Sequence, residues 1–505
     1  MELLNERYSK EIIGTLGCYD RIVITGTLPV LCFAQGMTSY LYSKGVRIFD
    51  YPKFAEPYKE KLRENTERLA KESGIEIEFV KNSKARKEDI VRKAVKKNGK
   101  IHGLLHILSA MEMCPTYKPW HDKTTGKTFL KGNTSKCLHY YFYYQDEELG
   151  YGYIRVPTWC PFRLQVYFNG HSLLANELKK QDIGYSMIDN AFDFIDDFEK
   201  AQELSDSIKV EKLHKAMDRL ADIYCPVYKE FGQVYHWSIM QAEYSTDIIF
   251  KNQDVLQPIY QELVKVAIHT VKPDNIATFL GQKLHWKYEG EVGNNYNVRI
   301  EGSKLKHTMG DVSIKIYDKF GKILRIETTV NNISFFKHYR TVEHRDGTSS
   351  QKLANLKKNI YSLGFLSEHL KAANRRYLEF ISAIEDNKVG KNNLKKLTEP
   401  TVENDRTYKG FNVFDQTDFD ILNTILRGEY NINGFRSKNL KQFLTNKSSS
   451  QITRILKRLN LHGLIKKIGK TYKYYVTEFG KIVTTTCMKL QYLVIIPSLN
   501  TTKFA

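Results

Sequence analysis

The chain has 505 residues, enough for two to four domains with cores of their own, and its 42% hydrophobic and 12% aromatic content excludes a disordered polymer. Against 57 Asp and Glu stand 77 Lys and Arg, a formal net charge of +20, which predicts a polyanionic partner, DNA first and RNA second, and argues against a membrane. The charged N-terminus MELLNERYSKEIIG has no signal-peptide core, no apolar run is long enough to cross a bilayer, and seven scattered cysteines predict reduced thiols, so the expected location is the cytoplasm.

Residues 1–195 are expected to form an α/β domain. Short apolar runs (DRIVITGTL, GVRIF, GIEIEFV, GLLHILSAME) alternate with helical patterns, the rhythm of a largely parallel sheet. Ligands sit at the tips of such strands, which singles out Asp20 and Glu112. They are read either as acids of a metal-dependent nuclease or transposase core, or as a capping and an ion-pairing residue. CLHYYFYYQDEELGYGYIRVP is a hairpin turning at Glu147–Gly150. Aromatics such as Tyr117, Trp120, Tyr141, Tyr143 and Tyr153 interleave with Lys118, Lys131 and Arg155. That mixture suits stacking on unpaired bases, with core packing the alternative for half of the rings. Cys114, Cys137, His139 and Cys160 are zinc-ligand types, but no pair has the C-x₂₋₄-C spacing of structural zinc; packing thiols are expected, and zinc is not.

Residues 196–390 are expected to form an α+β domain, helical at first. VYHWSIMQAEYSTDIIF fits a helix or a strand and offers Tyr244 and Asp247 as a candidate pair. Val298 to Tyr339 then reads as three antiparallel strands with period-2 alternation. Val312, Ile314, Ile316, Leu324 and Ile326 point one way. The opposite face gathers Arg299, Glu301, Lys315, Tyr317, Arg325 and Glu327, where a solvated sheet would carry Thr and Ser. Glu301 and Glu327, with Asp318 a third candidate, are carboxylates suited to Mg²⁺ or Mn²⁺. Lys315 and Arg325 suit phosphate oxygens. Tyr317, with Tyr339 second, is the candidate nucleophile or stacking ring. The alternative is a ladder of cross-strand ion pairs.

SIKIYDK followed by LRIE is similar to a pattern in rolling-circle replication initiators of plasmids and filamentous phages. There an R/K-x-Y-D/N-K strand precedes an R-x-E strand in the sheet that holds the catalytic metal. The resemblance covers about forty residues. It implies roles for Lys315, Tyr317, Asp318, Lys319, Arg325 and Glu327.

Residues 391–407 lack apolar periodicity and read as a linker. Residues 408–495 give three helices (DQTDFDILNTILRG, FRSKNLKQFL, SSSQITRILKRLNLHGLI), a β-hairpin (KKIGKTYKYYVTEFG) and a closing helix or strand. This order, and LHGLIKKIGKTYKYYVTEFGK in particular, resembles the winged helix-turn-helix of MarR-type regulators. Taken whole, the chain looks similar to an uncharacterised prokaryotic protein family with such a MarR-like C-terminal domain. The resemblance implies that Gln451, Arg454, Lys457 and Arg458 read DNA from the third helix. Lys466, Lys467, Lys470 and Lys473 would meet phosphates from the wing.

The expectation is therefore a nucleic-acid-binding and -processing protein of a mobile element or plasmid, cutting or transferring a strand like a transposase or replication initiator. The alternative is a non-enzymatic DNA-binding regulator, or the protein half of a ribonucleoprotein on a structured RNA. A homo-oligomer fits either.

Overall fold

In the computed structural model the described residues are 2–82, 85–283, 292–299, 302–383, 388–469 and 471–500. The chain divides into two units, Met1–Ile384 and Glu385–Ala505.

The larger unit is built on one mixed sheet. Its strands in chain order are β1 (Ile12–Thr27), β2 (Ile77–Phe79), β3 (Gly103–His121), β4 (Thr128–Asp146), β5 (Gly150–Pro157) and β6 (Leu164–Phe168). After a small separate hairpin, β7 (Tyr185–Met187) and β8 (Phe192–Ile195), come β9 (His236–Phe250), β10 (Val292–Arg299), β11 (Gly302–Met309), β12 (Val312–Lys319) and β13 (Ile323–Val330). The spatial order is β10-β11-β12-β13-β9-β1-β6-β5-β4-β3-β2. The expected boundary near residue 195 thus does not divide the fold, because β1 pairs with β6 on one side and β9 on the other. Nor is the sheet largely parallel. Among the described residues, β2–β3 is the one parallel pairing in it, joined through the helix Lys87–Asn98, whereas β3, β4, β5 and β6 follow one another as antiparallel neighbours with no helix between them.

The alternation read in the sequence explains the packing. Ile314, Ile316, Leu324 and Ile326 lie in a core with Leu263 and Leu370, Tyr377 and Leu378 of the helices Gln253–Thr270 and Leu363–Ser382. A buried amide ties that helix to the strands: Asn374 Nδ2 donates to the Tyr244 carbonyl at 3.1 Å, and Thr328 donates to Asn374 Oδ1 at 2.7 Å. The polar face is also largely buried. Gly170 opens the helix Gly170–Lys180 at the point where a Cβ would stand 2.1 Å from the Tyr19 carbonyl oxygen. That close approach sets His171 over β1 and β9. The β4–β5 hairpin forms as expected, and its rings are core on both faces. Phe142 and Tyr144 join the main cluster, while Tyr141, Tyr143 and Tyr153 pack on Val91.

In the smaller unit, the expected linker is structured: a helix Lys388–Thr398 precedes paired segments Thr401–Glu403 and Arg406–Tyr408. Helices Gln416–Ile425, Gly428–Asn433, Ser437–Phe443 and Ser449–Leu461 follow, then the antiparallel pair Ile465–Lys467 and Tyr474–Val476. Ile421, Leu440, Ile452, Leu456, Leu459 and Leu464 share its core. The final helical run, Glu478–Asn500, is 23 residues long and, by length and composition, apolar enough to cross a membrane. It therefore qualifies the expectation that no such segment exists, although Cys487 packs in the core and Tyr492 meets Phe419 edge-on at 5.7 Å.

Candidate metal centre

Sheet register assembles the site. Lys315 of β12 lies opposite Glu327 of β13, and Tyr317 lies opposite Arg325. Arg325 in turn faces Asp247 of β9, and Thr329 faces Glu243. Asp20 joins them through an irregularity. Tyr19 pairs with Tyr244 and Arg21 with Glu243, so Asp20 is the extra residue of a β-bulge. Such a bulge re-aims a side chain that strict alternation would send elsewhere. Carboxylate oxygens of Asp20, Glu243 and Glu327 all come within 4.8 Å of one another.

Beside this trio stands a second layer, in which Arg325, Asp247 and His171 are fully buried. Arg325 donates from Nε and Nη2 to Asp247 at 2.6 Å each, and from Nη1 to Asp20 Oδ1 at 3.1 Å. His171 Nε2 is 3.2 Å from Arg325 Nη2, and its Nδ1 is 3.3 Å from Asp20 Oδ1 without hydrogen-bond alignment. Asn190, in the β7–β8 turn, donates to Asp20 Oδ1 at 2.6 Å and accepts from Lys319. Burial alone would raise the Asp20 and Asp247 carboxyls. The Arg325 guanidinium overrides it, holding Asp20 well below the usual carboxylate range and Asp247 at about 2.

The trio is electrostatically uneven. Burial and the neighbouring Glu327 charge raise Glu243. Burial would also raise Glu327, but Lys315, 2.5 Å from its Oε1, brings it below the usual value. The same ammonium lies 3.6 Å from Glu243. Tyr317 donates its hydroxyl to Glu327 Oε2 at 2.5 Å, and burial with that negative neighbour pushes the phenol well above its ordinary range. Burial brings Lys319 down to about 8.

These groups line a cavity of 460 Å³, with Asp20, Glu243, Lys315, Tyr317, Lys319 and Glu327 on its wall. A second cavity of 490 Å³, edged by Arg92, Lys96 and Lys100, shares Tyr167, Asp189 and Asn190 with it. The all-oxygen donor set fits a hard cation such as Mg²⁺ or Mn²⁺ and not a thiophilic one. Nearby, four carboxylates (Asp20, Asp247, Glu243, Glu327) face Lys315, Lys319 and Arg325, so the net field on a dication is modest.

Several expected site residues lie elsewhere. Glu301 and Lys470 fall outside the described residues. Arg325, expected on phosphate, is wholly buried and bound to two carboxylates. Asp318 borders the cavity but accepts the Gly321 N–H at 3.0 Å, closing the β12–β13 turn. Tyr339 is exposed on a separate hairpin. Tyr244 lies on the apolar face, away from Asp247. Glu112 does not meet Asp20: β6, β5 and β4 separate their strands, about 19 Å at the usual strand spacing. It binds Lys87, Arg155 and Tyr141 instead. Of the aromatics expected to stack on bases, Trp120 of β3 stays open, with Lys131 4.9 Å and Lys118 5.9 Å from its ring centre.

In the smaller unit, Arg454 is exposed, and so are Lys466 and Lys467. Lys473 is half-buried with its ammonium 5.6 Å from the Tyr475 ring centre. Arg458 corrects the expected reading face: it is buried, forks onto Asp418 at 2.6 and 2.7 Å, and lies over Phe411. Gln451 is engaged as a helix cap, accepting from Ser448 N at 2.7 Å, and Lys457 pairs with Glu403. Sequence reasoning missed His171 and Asn190 altogether. Asp20 carried a usable signal, the one carboxylate in the strand IIGTLGCYDRIVITGT, and Asp247 did so as a carboxylate directly before the apolar run IIF.

No protein-family model matches the chain, nor does any curated protein or solved structure.

Proposed function

We propose that the larger unit is a metal-dependent nuclease or strand transferase acting on DNA, and that the smaller unit is a winged helix-turn-helix that binds DNA. The observation that carries the reading is the convergence of Asp20, Glu243 and Glu327 on a cavity whose wall also presents Tyr317. A Mg²⁺ or Mn²⁺ ion held by the three carboxylates would polarise a phosphoryl oxygen. Tyr317 attacks phosphorus through its Oη, Glu327 Oε2 takes the phenolic proton, the bond to the leaving sugar oxygen breaks, and that oxygen departs as a hydroxyl by taking a proton from solvent. The phosphate is then joined to tyrosine, with no change in oxidation state. Lys319 and Arg86, both on the cavity wall, offer positive charge to the flanking phosphates, and Arg92, Lys96 and Lys100 extend it into the adjoining cavity.

The winged-helix reading is supported by the order of helices and hairpin, and by a surplus of 15 Lys and Arg over five Asp and Glu in residues 408–495. Sequence resemblance to rolling-circle initiators and to MarR-type domains supports the same reading, that of a protein of a mobile element or plasmid.

A second reading has its own support. Lys315 and Arg325 already neutralise much of the acidic cluster, as in a structural network inside a non-enzymatic DNA- or RNA-binding protein. Supercoiled plasmid and labelled single strands incubated with Mn²⁺, then with EDTA, separate the two. Nicking that EDTA and Glu327→Ala abolish supports the enzyme; tight binding with intact strands supports the binder.

A further inference from the structure

The β3–β4 ribbon carries a cluster of soft ligands that the acidic site does not use. Cys114 lies opposite Ser135, Cys137 opposite Glu112 and His139 opposite Ala110, so all six positions share one face of the ribbon. Cys114 and Cys137 are therefore diagonal neighbours although 23 positions separate them in the chain. Both Sγ atoms and a ring nitrogen of His139 lie within 4.8 Å of one another, and all three residues are buried. The imidazole is already oriented. His139 Nδ1 is 3.1 Å from the Cys137 carbonyl oxygen, an acceptor only, so Nδ1 carries the proton and Nε2 the lone pair. A backbone carbonyl on the far nitrogen is the usual support of a metal-bound histidine.

The geometry points to a zinc site formed by Cys114 Sγ, Cys137 Sγ and His139 Nε2, with a fourth position open to the neighbouring cavity. That cavity, 350 Å³, is bordered by Cys114, His139, Arg155, Trp159 and Gln165. Two thiolates and an imidazole are a donor set zinc prefers and Mg²⁺ does not. Loading releases the two thiol protons, leaving two thiolates that balance the dication. Arg155 now donates to His139 Nε2 at 3.0 Å; on loading it yields that lone pair and keeps Glu112, 3.1 Å away, as its counter-charge. The local spacing rule that argued against zinc looks along the chain, whereas these ligands meet across it.

The test uses the full chain, purified under reducing conditions, washed with EDTA and reloaded with zinc alone. X-ray absorption at the zinc edge should show two sulfur ligands at about 2.3 Å and one equivalent bound per chain. Cobalt loading should give thiolate-to-metal charge-transfer absorption that Cys137→Ser and His139→Ala weaken and Glu327→Gln leaves intact. An oxygen-only shell overturns the assignment, as does zinc binding lost in Glu327→Gln and kept in Cys137→Ser. Recovery of a Cys114–Cys137 disulfide from freshly purified protein also overturns it. The wild-type spectrum decides the matter even if a variant fails to fold.

Discussion

Arg325 and Asp247 stand directly opposite each other on β13 and β9, joined by two hydrogen bonds of 2.6 Å in a site with no solvent exposure at the arginine. Removing one member leaves the other charge buried and unpaired, which costs about 3–5 kcal/mol. Arg325→Ala should therefore lower the denaturant midpoint of the larger unit sharply, and Arg325→Lys should recover only part of it, since an ammonium cannot fork. An unchanged midpoint in Arg325→Ala would contradict the pairing.

Tyr317 and Glu327 should be separable in their effects. Glu327→Gln removes a carboxylate from the trio and should weaken Mn²⁺ binding by calorimetry at least about tenfold, abolishing nicking with it. Tyr317→Phe keeps the carboxylates, so Mn²⁺ affinity should hold within about twofold while any protein–DNA adduct on denaturing gels disappears. An adduct that persists in Tyr317→Phe rules the tyrosine out as nucleophile.

His307 supplies a pH signature away from the acidic cluster. Burial lowers its pKa to about 4, and it bonds the Tyr377 hydroxyl at 2.9 Å. The folded value lies below the ordinary value of about 6.5, so the unfolded chain binds the proton more readily. The stability from neutral His307 is complete above pH 6.5 and is lost as pH falls towards 4, on the order of 3 kcal/mol. Urea titrations of wild type and His307→Gln across this window should show a shallower acid loss in the variant.

Arg454 and Arg458 are four residues apart on one helix and should behave oppositely. Arg458→Ala breaks a buried fork onto Asp418 and should raise hydrogen exchange throughout helix Gln416–Ile425. Arg454→Glu, on the exposed face, should leave exchange unchanged and weaken DNA binding severalfold at low salt. Equal DNA affinity in Arg454→Glu and wild type would remove the recognition-helix reading.

The strands β12 and β13 and the β4–β5 hairpin were legible because side-chain alternation in a strand is local: Val312, Ile314 and Ile316 declare a buried face without reference to anything distant. Helix Ser449–Leu461 was legible for the same reason, through its 3.6-residue apolar period and the Ser448 cap. Arg458 was misread because one apolar stripe says nothing of what packs beside it. Only the fold brings Asp418 there, 40 positions away.

The amino-acid sequence by itself determined the basic charge, the periodicities and the residue types from which a site can be made. Tertiary structure alone decided which of them meet. Asp20, Glu243 and Glu327 converge through two strand pairings and a one-residue bulge, and Cys114 joins Cys137 through the register of a long ribbon. Pairing register depends on the burial of whole faces, a property no short window contains.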